Sequence, residues 1–191
     1  MPVSLHRILV VAATPFELAA SSGWRTLCCG VGPVEAAAST AAALALDRPA
    51  GIVHVGIAGV RRARALAPLT LVIGTEARYH DLVVPARLAP GVVMTDAALI
   101  AAVRGAFPEA SVLPIGTSAR IGGTTDTDVE AMEGFAVLRA AQLAGVPAIE
   151  VRAISNDIEE EDRARWHFDA AFAAIISATP RLVQEVARCV N

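Results

Sequence analysis

The 191-residue sequence predicts an α/β fold, in which a central, mostly parallel, mixed twisted sheet is flanked by helices on both faces. Continuous apolar runs such as Arg7–Ala13 lack polar–apolar alternation, which is typical of parallel strands buried on both faces. Ala-rich segments of helical length separate these runs. No linker, repeat or low-complexity segment divides the chain, so residues 1–191 are expected to form a single domain.

The first half of the chain is expected to contain four strands and one helix. The helix begins at Pro33, whose missing N–H is tolerated in a first turn, and carries Glu35 near its positive end. It runs to about Leu46. The predicted strands are Arg7–Ala13, Trp24–Cys29, Gly51–Val55 and Leu69–Glu76.

The second half is expected to contain three helices and two strands. Asp96 caps the first of these helices, which ends at about Phe107. The second follows a Gly/Thr/Asp loop and is stopped by Gly145-Val146-Pro147. A terminal helix has Pro180 as a possible point of interruption. The loop is Gly122–Asp128, the later helices are about Val129–Leu143 and Arg163–Val190, and the strands are Val112–Ser118 and Ala148–Ser155.

Composition excludes several classes of function. A net charge of −3 and the lack of a basic stripe with aromatics argue against a nucleic-acid partner. No apolar run is long enough for a membrane span, and no signal-peptide pattern is visible, so no membrane partner is expected. All 16 basic residues are Arg, which excludes a Schiff-base lysine and a P-loop lysine.

Neither the cysteines nor the histidines have the spacing of a metal site. The three cysteines include no C-x-x-C pair, and the adjacent Cys28 and Cys29 are not expected to bridge each other. The four histidines show no ligand spacing. We therefore expect no metal and a cytoplasmic protein whose cysteines are buried as thiols.

Glycines and polar residues follow several predicted strands, where ligands of such folds bind. Each has a plain structural alternative: small residues make tight turns, and Glu17 or Glu133 alone is more typical of a helix terminus. Gly30-Val31-Gly32 lacks the third glycine of a dinucleotide fingerprint. The segments after strands are Thr14–Glu17, Gly30–Gly32, Gly56–Gly59 and Ser155–Asp157, and Met132–Phe135 adds a carboxylate near the start of a helix.

In this order, over nearly the whole chain, the segments resemble the family of nucleoside phosphorylases and nucleosidases that includes methylthioadenosine/S-adenosylhomocysteine nucleosidase. Ile8–Glu17 resembles the family's first strand and its acid, Cys29–Pro33 its glycine turn, and His54–Gly59 its G-x-A-G loop. Glu130–Phe135 resembles its ribose-binding Met-Glu segment, and Val151–Asn156 its purine-site strand. The resemblance implies a nucleoside phosphorylase-like fold.

Within that family the chain is most similar to the futalosine hydrolases. Gly116–Arg120 also resembles their threonine-rich strand. Glu76–Asp81 departs from them and is closer to the methylthioadenosine nucleosidases. The chain is short for the family between about residues 69 and 128, so the residues of the 5′ pocket are not assigned. The strings that carry the similarity are Glu130–Phe135, Arg152–Asn156 and Glu161–Trp166.

The resemblance implies a homo-oligomeric hydrolase that acts on a small-molecule purine nucleoside without a cofactor. It implies that futalosine is cleaved to hypoxanthine in menaquinone biosynthesis. Glu17 is the candidate to deprotonate the attacking water, and Asn156 the candidate to bind the leaving purine. Glu133 is expected to accept hydrogen bonds from the ribose hydroxyls, and Met132 is expected to pack under the ribose as an apolar surface. The other expected substrate-binding residues are Phe135, Ile57, Ala58, Gly59 and Ser155.

The prediction of which purine base the substrate contains depends on Asn156. Adenine-cleaving relatives have Asp at the matching position, and a carboxyl group suits a 6-amino purine. An amide keeps one donor and one acceptor at every pH, which suits a 6-oxopurine such as hypoxanthine. A slip of one residue would place Asp157 there instead, but the ungapped spacing from Glu133 argues against it.

Three alternatives stay open at this stage. The first is a methylthioadenosine/S-adenosylhomocysteine nucleosidase. The second is a phosphorylase, for which Arg61, Arg62 and Arg64 would form the phosphate site unless they belong to a solvated turn. The third is a non-catalytic nucleoside-binding protein, which would explain the glycine turns but would not require both Glu17 and Glu133.

Overall fold

A computed structural model describes residues 2–190. Its strands are β1 (Ile8–Ala12), β2 (Arg25–Cys28), β3 (Gly51–Val60), β4 (Leu71–Tyr79), β5 (Val92–Met94), β6 (Ser111–Thr117), β7 (Val129–Ala131) and β8 (Ala148–Asp157). They form one mixed sheet in the order β2-β1-β3-β7-β6-β4-β5, and β8 pairs with both β3 and β4. Most of the pairings between described strands are parallel, which confirms the predicted sheet.

Five of these strands close into a ring. β3 pairs with β8 and β7, β8 pairs with β4, and β6 joins β4 to β7. Buried aliphatic side chains that include Val72, Ile115, Val129 and Ile154 form a separate core cluster among these strands. The ring brings the last residues of β3 and β8 next to β7, whose end leads directly into Met132 and Glu133.

Two helices cover each face of the sheet, as predicted. α1 (Pro33–Leu46) and α3 (Gly134–Ala144) pack together against one face. α2 (Ala97–Ala106) and α4 (Phe168–Cys189) pack together against the other. The Asp96 carboxylate accepts from two backbone N–H groups at the start of α2, so the predicted cap is confirmed.

Two predicted turns are part of strands. β3 continues through Gly56–Gly59 to Val60, and β8 continues through Ser155 to Asp157. The two strands hold each other in parallel register along this length, with a shift between Ala58 and Gly59. Glycine weakens a strand only modestly, and the hydrogen bonds to β8 outweigh that cost.

The helix predicted from Val129 to Leu143 begins later. Residues 129–131 form β7, and α3 begins at Gly134. Ladder bonds to β3 and β6 hold these three residues in the sheet, although their sequence also suits a helix. β5, at the edge beside β4, is a further strand that the sequence did not predict.

The terminal helix is uninterrupted but begins later than predicted. Residues 163–165 form a separate 3₁₀ turn, and α4 passes through Pro180 to Cys189. A proline inside a helix costs about 3 kcal/mol through its lost N–H and its clash with the preceding turn. Buried Ile175, Leu182 and Val186 anchor both sides of Pro180 to the core and offset that cost. No helix within residues 2–190 has the length and apolar character needed to cross a bilayer.

Candidate active site

A cavity of about 270 Å³ opens where β1, β3 and β8 reach their carboxyl ends. This is the edge of the sheet at which the sequence placed the site. The residues assigned to the site come from separate parts of the chain, and all but one of them line this cavity. Those that line it are Glu17, Ile57, Ala58, Gly59, Met132, Glu133, Ser155 and Asn156.

Phe135 is the exception, and its assignment to substrate binding is corrected. Its side chain is 8% exposed and belongs to the core cluster between the sheet and α1 and α3. Its ring stacks on that of Tyr79 with centroids 5.2 Å apart. Its N–H donates to Oγ1 of Thr117 at 2.8 Å, so Phe135 fixes the start of α3 and does not face the cavity.

The Glu17 carboxylate is buried and held from both sides. Thr14 donates to Oε2 from its backbone N–H and from its hydroxyl, each at 2.9 Å. The Ile57 N–H donates to Oε1 at 3.2 Å and so ties the turn after β1 to β3. A carboxylate fixed in this way at a cavity wall is suited to bind and deprotonate a water.

Glu133 lies at the start of α3 with its side chain in the same cavity. Oε1 accepts from the N–H of Gly32 at 3.0 Å, and Oε2 lies 3.5 Å from Nη2 of Arg152. Gly32 has a φ of +89°, which L side chains rarely adopt, so the glycine turn after β2 is needed to aim this N–H. Burial raises the pKa of Glu133, against the opposing attraction of Arg152.

Asn156 lines the cavity, and Asp157 does not. Its Oδ1 accepts from the Ser155 hydroxyl at 2.7 Å, and its Nδ2 donates to the Asp157 carbonyl at 2.9 Å. Each end of the amide keeps one hydrogen-bonding position for a ligand. Asp157 forms an ion pair with Arg62 outside the cavity, so the amide, and not the acid, faces the cavity.

Three buried polar residues that the sequence analysis did not assign form a layer behind the carboxylates. Nε of Arg152 donates to Oε1 of Glu150 at 2.8 Å, and Nη2 of Arg152 contacts Nε2 of His54. Desolvation lowers the pKa of His54 well below its usual value, so the imidazole is neutral. The sequence contains a signal for this layer: Glu150 and Arg152 share one face of an otherwise apolar strand, and buried charges need partners.

A loop and an aromatic row form the remaining walls. Glu130, which is buried, accepts from the N–H groups of Gly122 and Thr124 and so holds the loop that carries Ile121 to the cavity. Three aromatic rings, those of Trp166, Phe168 and Phe172, line another part of the wall. Phe172 stacks between Phe168 and Phe16, which lies outside the cavity, and the Arg163 guanidinium lies 5.8 Å from the centroid of the Trp166 ring.

The three arginines considered for phosphate lie outside the cavity. Arg61 donates to the carbonyls of residues 124 and 127, Arg62 pairs with Asp157, and Arg64 lies 3.8 Å from Asp128. These contacts agree with the solvated-turn interpretation. Between residues 2 and 190, no group of three or more His, Cys, Asp or Glu side chains is arranged to hold a metal ion.

The site therefore combines the Glu17 carboxylate, which is held by hydrogen bonds, the largely desolvated Glu133 carboxylate and the Asn156 amide around one apolar cavity. Such a set can bind a sugar through its hydroxyls, accept a proton from water and match a planar base with one donor and one acceptor. These are the requirements for cleaving a bond between a sugar and a base.

Comparison with known proteins agrees with this chemistry. The sequence profile of the phosphorylase superfamily matches residues 18–117. A curated futalosine hydrolase from Streptomyces coelicolor is 36% identical over 184 aligned positions, which cover 84% of this chain and 78% of that protein.

Solved structures share the fold. A 5′-methylthioadenosine/S-adenosylhomocysteine nucleosidase from Colwellia psychrerythraea, in complex with adenine, superposes with a TM-score of 0.79 at 19% identity and 95% coverage of both chains. A futalosine hydrolase from Helicobacter pylori superposes with a TM-score of 0.78 at 15% identity, covering 93% of this chain and 97% of that one. The chain thus belongs to the phosphorylase superfamily, as a homologue of the futalosine hydrolases, and is an N-glycosyl hydrolase.

Proposed function

We propose that this hydrolase cleaves the N-ribosidic bond of futalosine and releases hypoxanthine, a step of menaquinone biosynthesis. The observation that carries the proposal is the amide of Asn156 in the wall that also contains Glu17 and Glu133. The 36% identity to a curated futalosine hydrolase supports the same substrate. Residues 1–191 act as one nucleosidase domain.

Glu133 holds the ribose. Its carboxylate accepts hydrogen bonds from the 2′ and 3′ hydroxyls, while Met132 packs under the sugar. Its negative charge stabilises the positive charge that develops on the ribose ring as the bond to the base lengthens. Burial strengthens this interaction because little water screens it.

Glu17 supplies the base for the attacking water. The water oxygen forms a bond to C1′ as the C1′–N9 bond breaks, and the bonding pair leaves with the purine. Oε1 or Oε2 of Glu17 takes the proton that the water loses. Thr14 and Ile57 hold the carboxylate for this step, which lowers the entropy cost of aligning base and water.

Asn156 recognises the departing base. Its free Nδ2 hydrogen donates to O6 or N7 of hypoxanthine, and its free Oδ1 position accepts from a ring N–H. The purine leaves as an anion that the hydrogen bond from Nδ2 stabilises, and it takes a proton from a solvent water. Glu17 returns to solvent the proton that it took, so one water is consumed for each nucleoside cleaved. The Ser155 hydroxyl and the Asp157 carbonyl set the orientation of the amide, so the donor and the acceptor keep their places.

Assays on futalosine, inosine and methylthioadenosine, each with and without phosphate, test the proposal. We expect hypoxanthine and a free sugar from futalosine at a rate that does not depend on phosphate. If kcat/KM for release of adenine from methylthioadenosine is higher than kcat/KM for futalosine, the proposed substrate is wrong and the enzyme acts on an adenine nucleoside. A sugar 1-phosphate product would make the enzyme a phosphorylase. The Glu17→Gln variant is the control for contaminating nucleosidases.

We further propose a cytoplasmic homo-oligomer. The three cysteines are free thiols, which suits a reducing compartment. Apolar side chains are exposed along β5 and the segment before it: Val83 is 92%, Leu88 68% and Met94 65% exposed. Such a patch is typical of an interface. Sedimentation analysis of the parent and a Leu88→Glu variant tests this, and a parent that sediments as a monomer would exclude it.

A further inference from the structure

The far side of the Arg152 guanidinium, away from the cavity, is held by two residues with no other evident task. Glu150 and Arg152 alternate along β8, and His54 lies opposite Glu150 on β3 in the parallel register. Glu150 and His54 are completely buried, and Arg152 is 1% exposed. Arg152 reaches the cavity, whereas Glu150 and His54 do not line it.

Glu150 has no hydrogen-bond partner except Arg152 among the described residues. Its Oε1 accepts from Nε of Arg152 at 2.8 Å, and its Oε2 is buried without a partner. Burying a carboxylate with only one partner lowers the stability of a protein, and this cost points to a role for Glu150 other than stabilising the fold. The contact is charge-assisted, so it fixes the rotation of the guanidinium plane.

His54 presents a defined acceptor to the same guanidinium. Its Nδ1 lies 3.0 Å from the carbonyl oxygen of Val11, which can only accept, so Nδ1 carries the proton. Nε2 is then an acceptor, and it takes a hydrogen bond from Nη2 of Arg152. A neutral imidazole fits this role because a protonated ring would have no lone pair for Arg152.

Two glycines leave space for this arrangement. A Cβ atom at Gly56 would lie 2.2 Å from Nη1 of Arg152 and 2.8 Å from Oε1 of Glu17, so both groups converge over this residue. A Cβ atom at Gly134 would lie 2.1 Å from Oε2 of Glu150. Gly56 therefore leaves room for the Arg152 guanidinium, and Gly134 leaves room for the Glu150 carboxylate that holds it.

We propose that Glu150 and His54 are positioning residues that act through Arg152. They fix its guanidinium so that Nη2 stays beside Oε2 of Glu133, which sets the position of that carboxylate against the ribose. This inference deepens the proposed function and rests on it. Misplacement of a reacting group by about 1 Å can cost about 100-fold in rate, so the effect falls on turnover.

A pair of His54 variants separates this role from a structural one. In His54→Gln the side-chain amide reaches the Nε2 position and can still accept from Arg152, whereas in His54→Asn it reaches only the Nδ1 position. We expect His54→Asn to lower kcat about 10- to 100-fold with KM within about 3-fold, and His54→Gln to recover most of that loss. Val53→Ala, a buried neighbour on β3 away from Arg152, is the control for lost stability.

His54→Asn and Glu150→Gln, each made in the parent and in an Arg152→Met background, test whether His54 and Glu150 act through Arg152. We expect His54→Asn and Glu150→Gln to lower kcat by less than about 2-fold further in that background, because the group they position is absent. A loss as large as in the parent would overturn the proposal, as would a Val53→Ala variant with the same loss of kcat at the same melting temperature.

A readout without substrate keeps this inference separate from the proposed function. The Nε–H resonance of Arg152, assigned by its absence in Arg152→Met, should exchange at least about 10-fold faster in Glu150→Ala than in the parent. Unchanged exchange would overturn the role of Glu150 whatever the substrate is. If the parent cleaves no nucleoside but its Arg152 Nε–H still exchanges slowly, the proposed function is wrong and the positioning of Arg152 by Glu150 still holds.

Discussion

The backbone N–H of Gly32 donates to Oε1 of Glu133 at 3.0 Å, although the two residues are 101 positions apart in the sequence. The contact joins the glycine turn after β2 to the start of α3. It leaves Oε2 to face Arg152 and the cavity. Both parts of the molecule must therefore be in place before the Glu133 carboxylate can take up this position in the cavity.

Removal of the Glu133 charge should weaken catalysis and stabilise the fold. Burial raises the pKa of Glu133, so the folded state favours the protonated form, and ionisation at neutral pH lowers stability. Glu133→Gln should therefore melt at a higher temperature than the parent at pH 8. The difference should shrink as the pH falls through the raised pKa of the folded state and should disappear below 4.5, the ordinary value, because the carboxyl is then protonated in both states. A variant that melts lower at pH 8 would contradict this prediction.

The ribose contact of Glu133 can be tested with a 2′-deoxy substrate. In Glu133→Ala both affinity and turnover should fall, because the contact strengthens in the transition state. The penalty for the deoxy substrate should then be much smaller than in the parent. An equal penalty in both proteins would assign the 2′ hydroxyl to another residue.

Glu17→Gln should keep substrate binding and lose about 2 to 4 orders of magnitude in kcat, the usual contribution of a general base. The amide can still contact the Ile57 N–H, so the turn after β1 should stay folded. Single-turnover kinetics with substrate binding measured by calorimetry would check both parts. Turnover close to that of the parent would remove Glu17 from the mechanism.

Asn156→Asp should shift the preference of the enzyme toward adenine nucleosides. A mismatched hydrogen bond in a buried site costs about 1–3 kcal/mol, or about 5- to 150-fold. The ratio of kcat/KM for futalosine and for an adenine nucleoside with the same 5′ group measures the shift. Asp157→Asn is the matched control, since Asp157 does not line the cavity, and its ratio should stay unchanged. A shift in the control but not in Asn156→Asp would move the purine site to residue 157.

Glu130→Ala should release the loop that Gly122 and Thr124 anchor. The carboxylate accepts three hydrogen bonds from this loop, and an alanine side chain can accept none of them. We expect faster proteolysis within residues 119–127 and a higher KM with a smaller change in kcat. Asp128→Ala, at an exposed position beside the same loop, should show neither effect. A loop that stays protected in Glu130→Ala would contradict this role.

The rule that ligands bind at the ends of strands predicted much of the site from sequence. It located Glu17 and Asn156, and the resemblance to the family's Met-Glu segment located Glu133. The three residues lie far apart in the chain and line one cavity. The rule works because a polar residue that follows an apolar run stands out locally. Phe135 was assigned as part of the segment Glu130–Phe135 that resembles the family's ribose-binding segment. An aromatic residue at a helix start has no signal of its own that separates a cavity position from a core position.

Positions fixed by pairing between strands could not be predicted. His54 and Glu150 are 96 residues apart and meet only because β3 and β8 are in parallel register. In the same way, β7 is a strand because two neighbours supply its ladder bonds, while its own three residues favour no particular state. A short segment of sequence determines a preference for helix or strand, whereas the pairing register of two strands is set only when the sheet assembles.

The ring of strands also has a consequence for synthesis on the ribosome. β8 is the last strand to be made, yet it lies between β3 and β4, which emerge much earlier. Until residues 148–157 are translated, the nascent chain carries two unpaired strand edges, which can recruit other chains or chaperones. Closure then joins Ile52 to Ala148 across a long stretch of chain, which makes it a slow step of folding. The interval in which these edges are open to other chains therefore lasts until β8 has been translated and paired.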